Sequence, residues 1–106
     1  MAKKSLDTLT EPMLYVLMSF QQRDMSGVEI ANHVKELTNN RVHIGPGTLY
    51  TILSNFESVG LIEKKQSEGR RIVYTITEMG LHLYTAEINR LRQCLADAEK
   101  GGLHEI

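Results

Sequence analysis

An α+β, mainly helical fold is predicted by three observations. Three short runs carry apolar residues at helical spacing, two alternating runs follow with turn chemistry between them, and one long run carries a heptad-like apolar stripe. The 106 residues suit one domain with one modest core. Hydrophobic residues at 42% and charged residues at 24% match an ordinary soluble globular chain, not a disordered one. So small a core is only marginally self-sufficient, and apolar surface covered by a second subunit would add to it.

Residues 1–9 read as a loose N-terminal arm in which Leu6 and Leu9 are able to pack. The first helix is expected from about Glu11 to Gln22, with Thr10 as N-cap and Pro12 in the first turn. Its stretch from Met13 to Phe20 is apolar nearly all round, which predicts burial on more than one side; another subunit is one source of the second. Ser26 followed by Glu29 has capping-box spacing and opens a second helix, with Ile30, Val34 and Leu37 as its apolar face and an end near Asn39-Asn40. Arg41 to Gly45 reads as a turn. Gly45-Pro46-Gly47 opens a third helix, Leu49, Ile52, Leu53 and Phe56 form its inner face, and Gly60 stops it.

Leu61 to Lys65 reads as a short strand and Gln66 to Gly69 as a turn. Arg71 to Ile76 is a second strand with Ile72, Tyr74 and Ile76 on one face and Val73 and Thr75 on the other. Thr77 caps a last helix from about Glu78 to Ala98, in which Leu81, Tyr84, Ile88, Leu91, Leu95 and Ala98 follow at steps of 3, 4, 3, 4 and 3. That is an a/d seam, suited to a homodimer. The tail over 99–106 should fray. Three helices followed by a hairpin make a winged helix-turn-helix over residues 10–77, and the long helix over 78–98 becomes a dimerisation element.

The third helix has the surface that a DNA major groove requires. Thr48, Tyr50, Thr51, Ser54 and Asn55 are able to hydrogen-bond to base edges, and small residues at its start let backbone approach phosphate. The same composition also suits a merely solvated helix face. Between Gly45 and Gly60 there is no Lys or Arg; the cations lie on the hairpin as Lys64, Lys65, Arg70 and Arg71. A basic wing can straddle a phosphate backbone, and it can equally guard a strand edge. The formal net charge of −1 and pI of about 6.4 argue against a general nucleic-acid coater but leave room for a sequence-specific binder. The alternative is a winged helix used as a protein–protein interaction module without specific DNA binding, supported by the acidic pI and the uncharged third helix.

Other classes find little support. Cys94 is the only cysteine and cannot form an internal disulfide; beside the seam it reads as a small packing residue or as half of a pair across a dimer. His33, His43, His82 and His104 are scattered without ligand spacing, so no metal or cofactor is expected. No nucleophile-base pair, glycine-rich phosphate loop or paired-carboxylate motif suggests an enzyme. No run reaches membrane-spanning length, and Lys3-Lys4 lacks the apolar stretch of a secretory signal, so the expected location is the cytoplasm.

The run from Gly47-Thr48-Leu49-Tyr50 through Gly60-Leu61-Ile62 resembles the signature of PadR-type regulators. So does Gly69-Arg70-Arg71-Ile72-Val73-Tyr74-Thr75-Ile76-Thr77-Glu78-Met79-Gly80, which is similar to that family's wing and its "Tyr-x-Leu-Thr-x-x-Gly" exit; Ser26-Gly27-Val28-Glu29-Ile30 resembles the start of its second helix. The resemblance covers roughly residues 9 to 98. It implies a dimeric transcriptional repressor of operator DNA, with the first helix (Met13, Leu17) and the last (Leu81, Tyr84, Ile88, Leu91, Leu95) making the dimer. It further implies DNA contacts from Thr48, Tyr50, Arg70 and Arg71, and a small-molecule effector between subunits. A pocket for that effector would be lined by Met13, Leu17, Tyr84, Ile88 or Leu91. Three departures stand out. Val28 replaces a usual Tyr and removes a phosphate contact. Asn55 replaces a usual basic residue and suits an adenine contact instead. The absence of Trp makes members that sandwich flat ligands between tryptophans a poor guide.

Overall fold

Two helices begin at the N-caps that the sequence signals, Thr10 and Ser26, and the capping box read at Ser26 and Glu29 is formed. In the computed structural model, which describes residues 9–69 and 71–102, α1 spans Glu11–Ser19 and the Thr10 hydroxyl accepts from the Met13 N–H at 3.3 Å. α2 spans Gly27–Leu37; the Ser26 hydroxyl accepts from the Glu29 N–H at 3.4 Å, while the Ser26 N–H donates to Glu29 Oε1 at 2.9 Å. α1 ends before the expected Gln22, because Phe20, Gln21 and Gln22 each donate to a carbonyl three residues back and tighten the chain into a turn. That turn delivers Met25–Ser26 to the sheet as β1, a strand too short to leave any periodicity in the sequence.

The α2–α3 connection differs from the turn expected over Arg41 to Gly45. Asn39 and Asn40 take the left-handed backbone region, with φ of 53° and 64°, and end α2. The chain then runs extended, so side chains alternate: Arg41 and His43 face out, whereas Val42 and Ile44 are buried in the core. The Thr38 hydroxyl holds this segment, donating to the Val34 carbonyl at 2.8 Å and accepting from the Val42 N–H at 3.0 Å. α3 follows as Pro46–Ser58, with Leu49, Ile52, Leu53 and Phe56 all buried as their spacing predicts.

The hairpin is β2 (Ile62–Glu68) and β3 (Arg71–Ile76), and β1 adds on the far side of β3 to give an antiparallel sheet of order β1-β3-β2. Met25 pairs with Tyr74 and Ile62 with Ile76, and a bulge falls between Lys64 and Gln66. Tyr74 is buried and Ile76 packs on the core, but Ile72, expected on their face, is exposed because it lies further out along the wing, opposite Ser67. Leu37, expected on the inner face of α2, is also exposed, at the helix end.

α4 runs from Glu78 to Lys100, two residues beyond the expected end. Thr77 ties it to the α3–β2 junction: its hydroxyl donates to the Gly60 carbonyl at 2.7 Å and accepts from the Gly80 N–H at 3.1 Å, and its own N–H donates to the Leu61 carbonyl at 3.0 Å. Leu83 and Tyr84 pack against the core, and Glu87 is buried with its carboxylate held bidentately by Arg90 at 2.6 and 3.0 Å. Every residue from Leu91 to Gly102 is exposed. Among buried polar groups, the Ser19 hydroxyl donates to the Tyr15 carbonyl at 2.9 Å, so the His33 Nδ1 at 3.0 Å must be the donor of their contact. Three helices, a small sheet with a hairpin wing, and a long last helix make the winged helix-turn-helix arrangement that the element order predicts. The arm and tail expectations fall mostly outside the described residues; within them, Leu9 is buried in the core.

Candidate nucleic-acid interface

The buried inner face of α3 forces its other side outward. Thr48, Thr51, Ser54 and Asn55 are exposed, and Tyr50 keeps 50% of its surface open. Tyr50 does not stand free. Its ring lies against Gly27 at the start of α2, where the space a β-carbon would fill is taken by the phenol. Beside it opens a cleft of about 560 Å³ whose walls include Gly27, Val28, Glu29, Tyr50, Arg71 and Ile72. Thus Tyr50 and Arg71, proposed from sequence as separate contacts on helix and wing, line one cleft. The apolar members Val28, Tyr50 and Ile72 are all exposed there.

Of the wing cations, Lys64 and Lys65 lie on β2 and Arg71 on β3, and two of these are held by carboxylates. Arg71 Nη2 donates to Glu29 Oε2 at 2.6 Å, and Arg23 Nη1 lies 3.9 Å from the same oxygen. Lys65, at the β2 bulge, donates from Nζ to Asp24 Oδ2 at 2.7 Å. Lys64 is exposed and forms no ion pair among the described residues. Arg70 lies outside the described residues. The Lys65 hydrogen bond, with help from the Thr75 hydroxyl, holds the Asp24 carboxyl below its ordinary pKa. The Ser26 N–H is the largest cause of the same downward shift in Glu29, and Arg71 adds to it. Both carboxylates are therefore firmly ionised near neutrality. The sequence signal for Glu29 was its capping box alone; Asp24 carried none, because its partner is 41 residues away.

The residues expected at a subunit interface divide into two groups. Leu17 is fully buried among the core residues of its own domain, which corrects its assignment to a dimer face or effector pocket. The apolar circumference of α1 is covered to that extent by its own fold. Met13 and Tyr84 are half-buried against the same core. Ile88 is partly covered, and Leu81, Leu91 and Leu95 are exposed along α4. Cys94 is exposed too, not packed, with Arg90 Nη1 3.8 Å from its sulfur. Among the described residues no group of three His, Cys, Asp or Glu is placed to hold a metal ion, and no helix is long and apolar enough to cross a membrane.

A model of the transcriptional regulator PadR-like family matches residues 14–86. A transcriptional regulator from Clostridium thermocellum has a similar structure, with a TM-score of 0.75 at 24% identity over 83% of this chain and 89% of that one. A PadR family transcription regulator from Clostridium difficile gives 0.71 at 25% identity, over 83% and 94%. The ferric uptake regulation protein of Escherichia coli is 29% identical over 80 residues, or 76% of this chain and 54% of that protein. The chain spans about half the length of the curated relatives it matches.

Proposed function

Because the chain belongs to the transcriptional regulator PadR-like family, and is therefore a DNA-binding transcriptional regulator and not an enzyme, we propose that it is a homodimeric, cytoplasmic repressor of operator DNA relieved by a small-molecule effector. The observation that carries the DNA side of this reading is the shared cleft: α3 presents uncharged hydrogen-bonding side chains, and Arg71 stands beside Tyr50 on the adjoining wing. Residues 10–77 are the DNA-binding unit. Thr48, Tyr50, Thr51 and Asn55 read bases, while Lys64, Lys65, Arg70 and Arg71 contact phosphate. The helix beyond 77 is the dimerisation element through Leu81, Ile88, Leu91 and Leu95, with Met13 and Tyr84 at its margin. A two-fold dimer would set two recognition helices ~34 Å apart along one face of DNA. The effector would sit between subunits near Met13, Tyr84, Ile88 and Leu91.

The experiment is a gel shift with DNA from upstream of the protein's own gene, with random competitor, at two salt concentrations. A discrete band that survives competitor and weakens steeply with salt supports the reading. Weak binding, equal for every sequence, from protein shown to be folded would overturn it.

A further inference from the structure

The wing cations that phosphate binding needs are not waiting free. Lys65 is held by Asp24 at 2.7 Å and Arg71 by Glu29 at 2.6 Å, and Glu29 also attracts Arg23. The carboxylates come from the loop before α2 and from its first turn, so both pairs fasten the wing to the body of the domain. They are surface pairs: the Asp24 and Glu29 side chains keep 33% and 29% of their area exposed, and the cations keep more than half. Such pairs add little to stability, but an arriving phosphate can reach them.

Their geometry makes them competitors of phosphate. Glu29 cannot swing away with the wing, because Oε1 is fixed by the Ser26 N–H at 2.9 Å while Oε2 holds Arg71. To bind a phosphate, Arg71 must leave this carboxylate or share it, and the ionised carboxylate stays on the DNA-facing cleft. Lys65 faces the same exchange with Asp24. Each wing contact thus replaces one anion with another and gains only the difference. α3 is under no such constraint: its outward side chains Thr48, Tyr50, Thr51, Ser54 and Asn55 are uncharged, and it contains no Lys or Arg.

We propose that Asp24 and Glu29 are specificity-determining residues: they occupy Lys65 and Arg71 in place of DNA phosphate, suppress sequence-independent binding, and leave discrimination to α3. The inference rests on the DNA-binding reading above. Without these carboxylates the wing would bind any duplex, and the ratio of operator to random binding would fall.

The test is fluorescence anisotropy of the full chain with a labelled duplex of random sequence across a salt series. It compares wild type, Asp24→Asn, Lys65→Gln and the double variant, with thermal melts as a folding check. Asp24→Asn should bind about three- to tenfold tighter, with a log–log salt slope steeper by about 0.9, the value for one further phosphate neutralised. In the Lys65→Gln background the same change should have less than about a twofold effect, because the cation it liberates is gone. Glu29→Gln, whose amide still serves the capping box, should tighten random binding in the same way. Unchanged affinity in both single variants overturns the proposal. So does an equal gain with and without Lys65, which would be general charge repulsion and not competition within the pair. If no variant, wild type included, shows salt-dependent binding, the DNA-binding reading itself fails, and this inference fails with it.

Discussion

The phenol of Tyr50 rests on the α-carbon of Gly27: a β-carbon there would stand 2.7 Å from the hydroxyl oxygen and 2.9 Å from the ring. This contact fixes the outward tyrosine of α3 against the start of α2. Gly27→Ala should therefore displace Tyr50 with little harm to the fold, since the ring is half-exposed and free to swing. We expect a stability loss of about 1 kcal/mol or less, but a loss of operator affinity of about tenfold, close to that of Tyr50→Ala. Wild-type operator binding by a folded Gly27→Ala protein would show that the position of Tyr50 does not matter.

Gly80 makes the opposite case, because its neighbour cannot move. A β-carbon at Gly80 would collide with the Leu61 carbonyl oxygen and come within 2.8 Å of Ile76 Cγ1. The Leu61 carbonyl is already fixed by the Thr77 N–H at 3.0 Å, with the Thr77 hydroxyl oxygen packed 3.0 Å away. Gly80→Ala should force α4 off the wing base and cost about 1–3 kcal/mol, as overpacking of a tight contact does. For a domain of this size that is a fall in Tm of roughly 4–8 °C per kcal/mol. An unchanged melting curve would mean that α4 is less tightly seated than this contact requires.

Where local rules act alone, the sequence was readable. Thr10, Ser26 and Thr77 each signal a helix start from residues within three positions, and the inner face of α3 follows from one spacing. Val42 and Ile44 were hidden because an extended two-residue alternation is too brief to separate from a turn, and only the hollow between helices decides that they are buried. Strand β1 was hidden for the same reason: Met25 is a strand residue only because Tyr74 is there to pair with it. The candidate site was half visible. The polar face of α3 and the basic wing are local patterns, whereas the Asp24–Lys65 and Glu29–Arg71 pairs join residues 41 and 42 positions apart. Leu17 was misassigned because an all-round apolar helix does not reveal which side its own domain covers.

Acid should loosen the molecule chiefly through the buried carboxylate of Glu87, with smaller additions from the surface carboxylates of Asp24 and Glu29. Asp24, Glu29 and Glu87 all have folded-state pKa values below their ordinary ones, Glu87 because of the Arg90 hydrogen bonds. A lowered folded value means that the folded chain favours the charged form. The stability gained is fully present above the unfolded values, about 3.9 for Asp and 4.3 for Glu, and is lost as pH falls through the depressed folded values. Urea midpoints should be flat near neutrality and decline below about pH 4. Glu87→Gln combined with Asp24→Asn should make that decline shallower. An identical acid profile in the double variant would assign acid sensitivity to other groups.

The last helix supports the prediction about assembly. The inward side of α4 is used up by Gly80, Leu83, Tyr84 and Glu87, and the Arg90 clasp on Glu87 closes it. Beyond that point Leu91 and Leu95 remain 39% and 55% exposed. Leucines repeated along one stripe of a projecting helix are covered at little entropic cost by the same stripe of a second copy. Leu91→Asp places a charge in that seam without touching the core of the monomer, so the winged domain should stay folded. We expect sedimentation velocity to report a monomer. Affinity for a two-half-site operator should fall by about 100-fold or more as the linkage between half-sites is lost, while binding to a single half-site should change little. A Leu91→Asp protein that sediments as a dimer would remove α4 from the subunit contact.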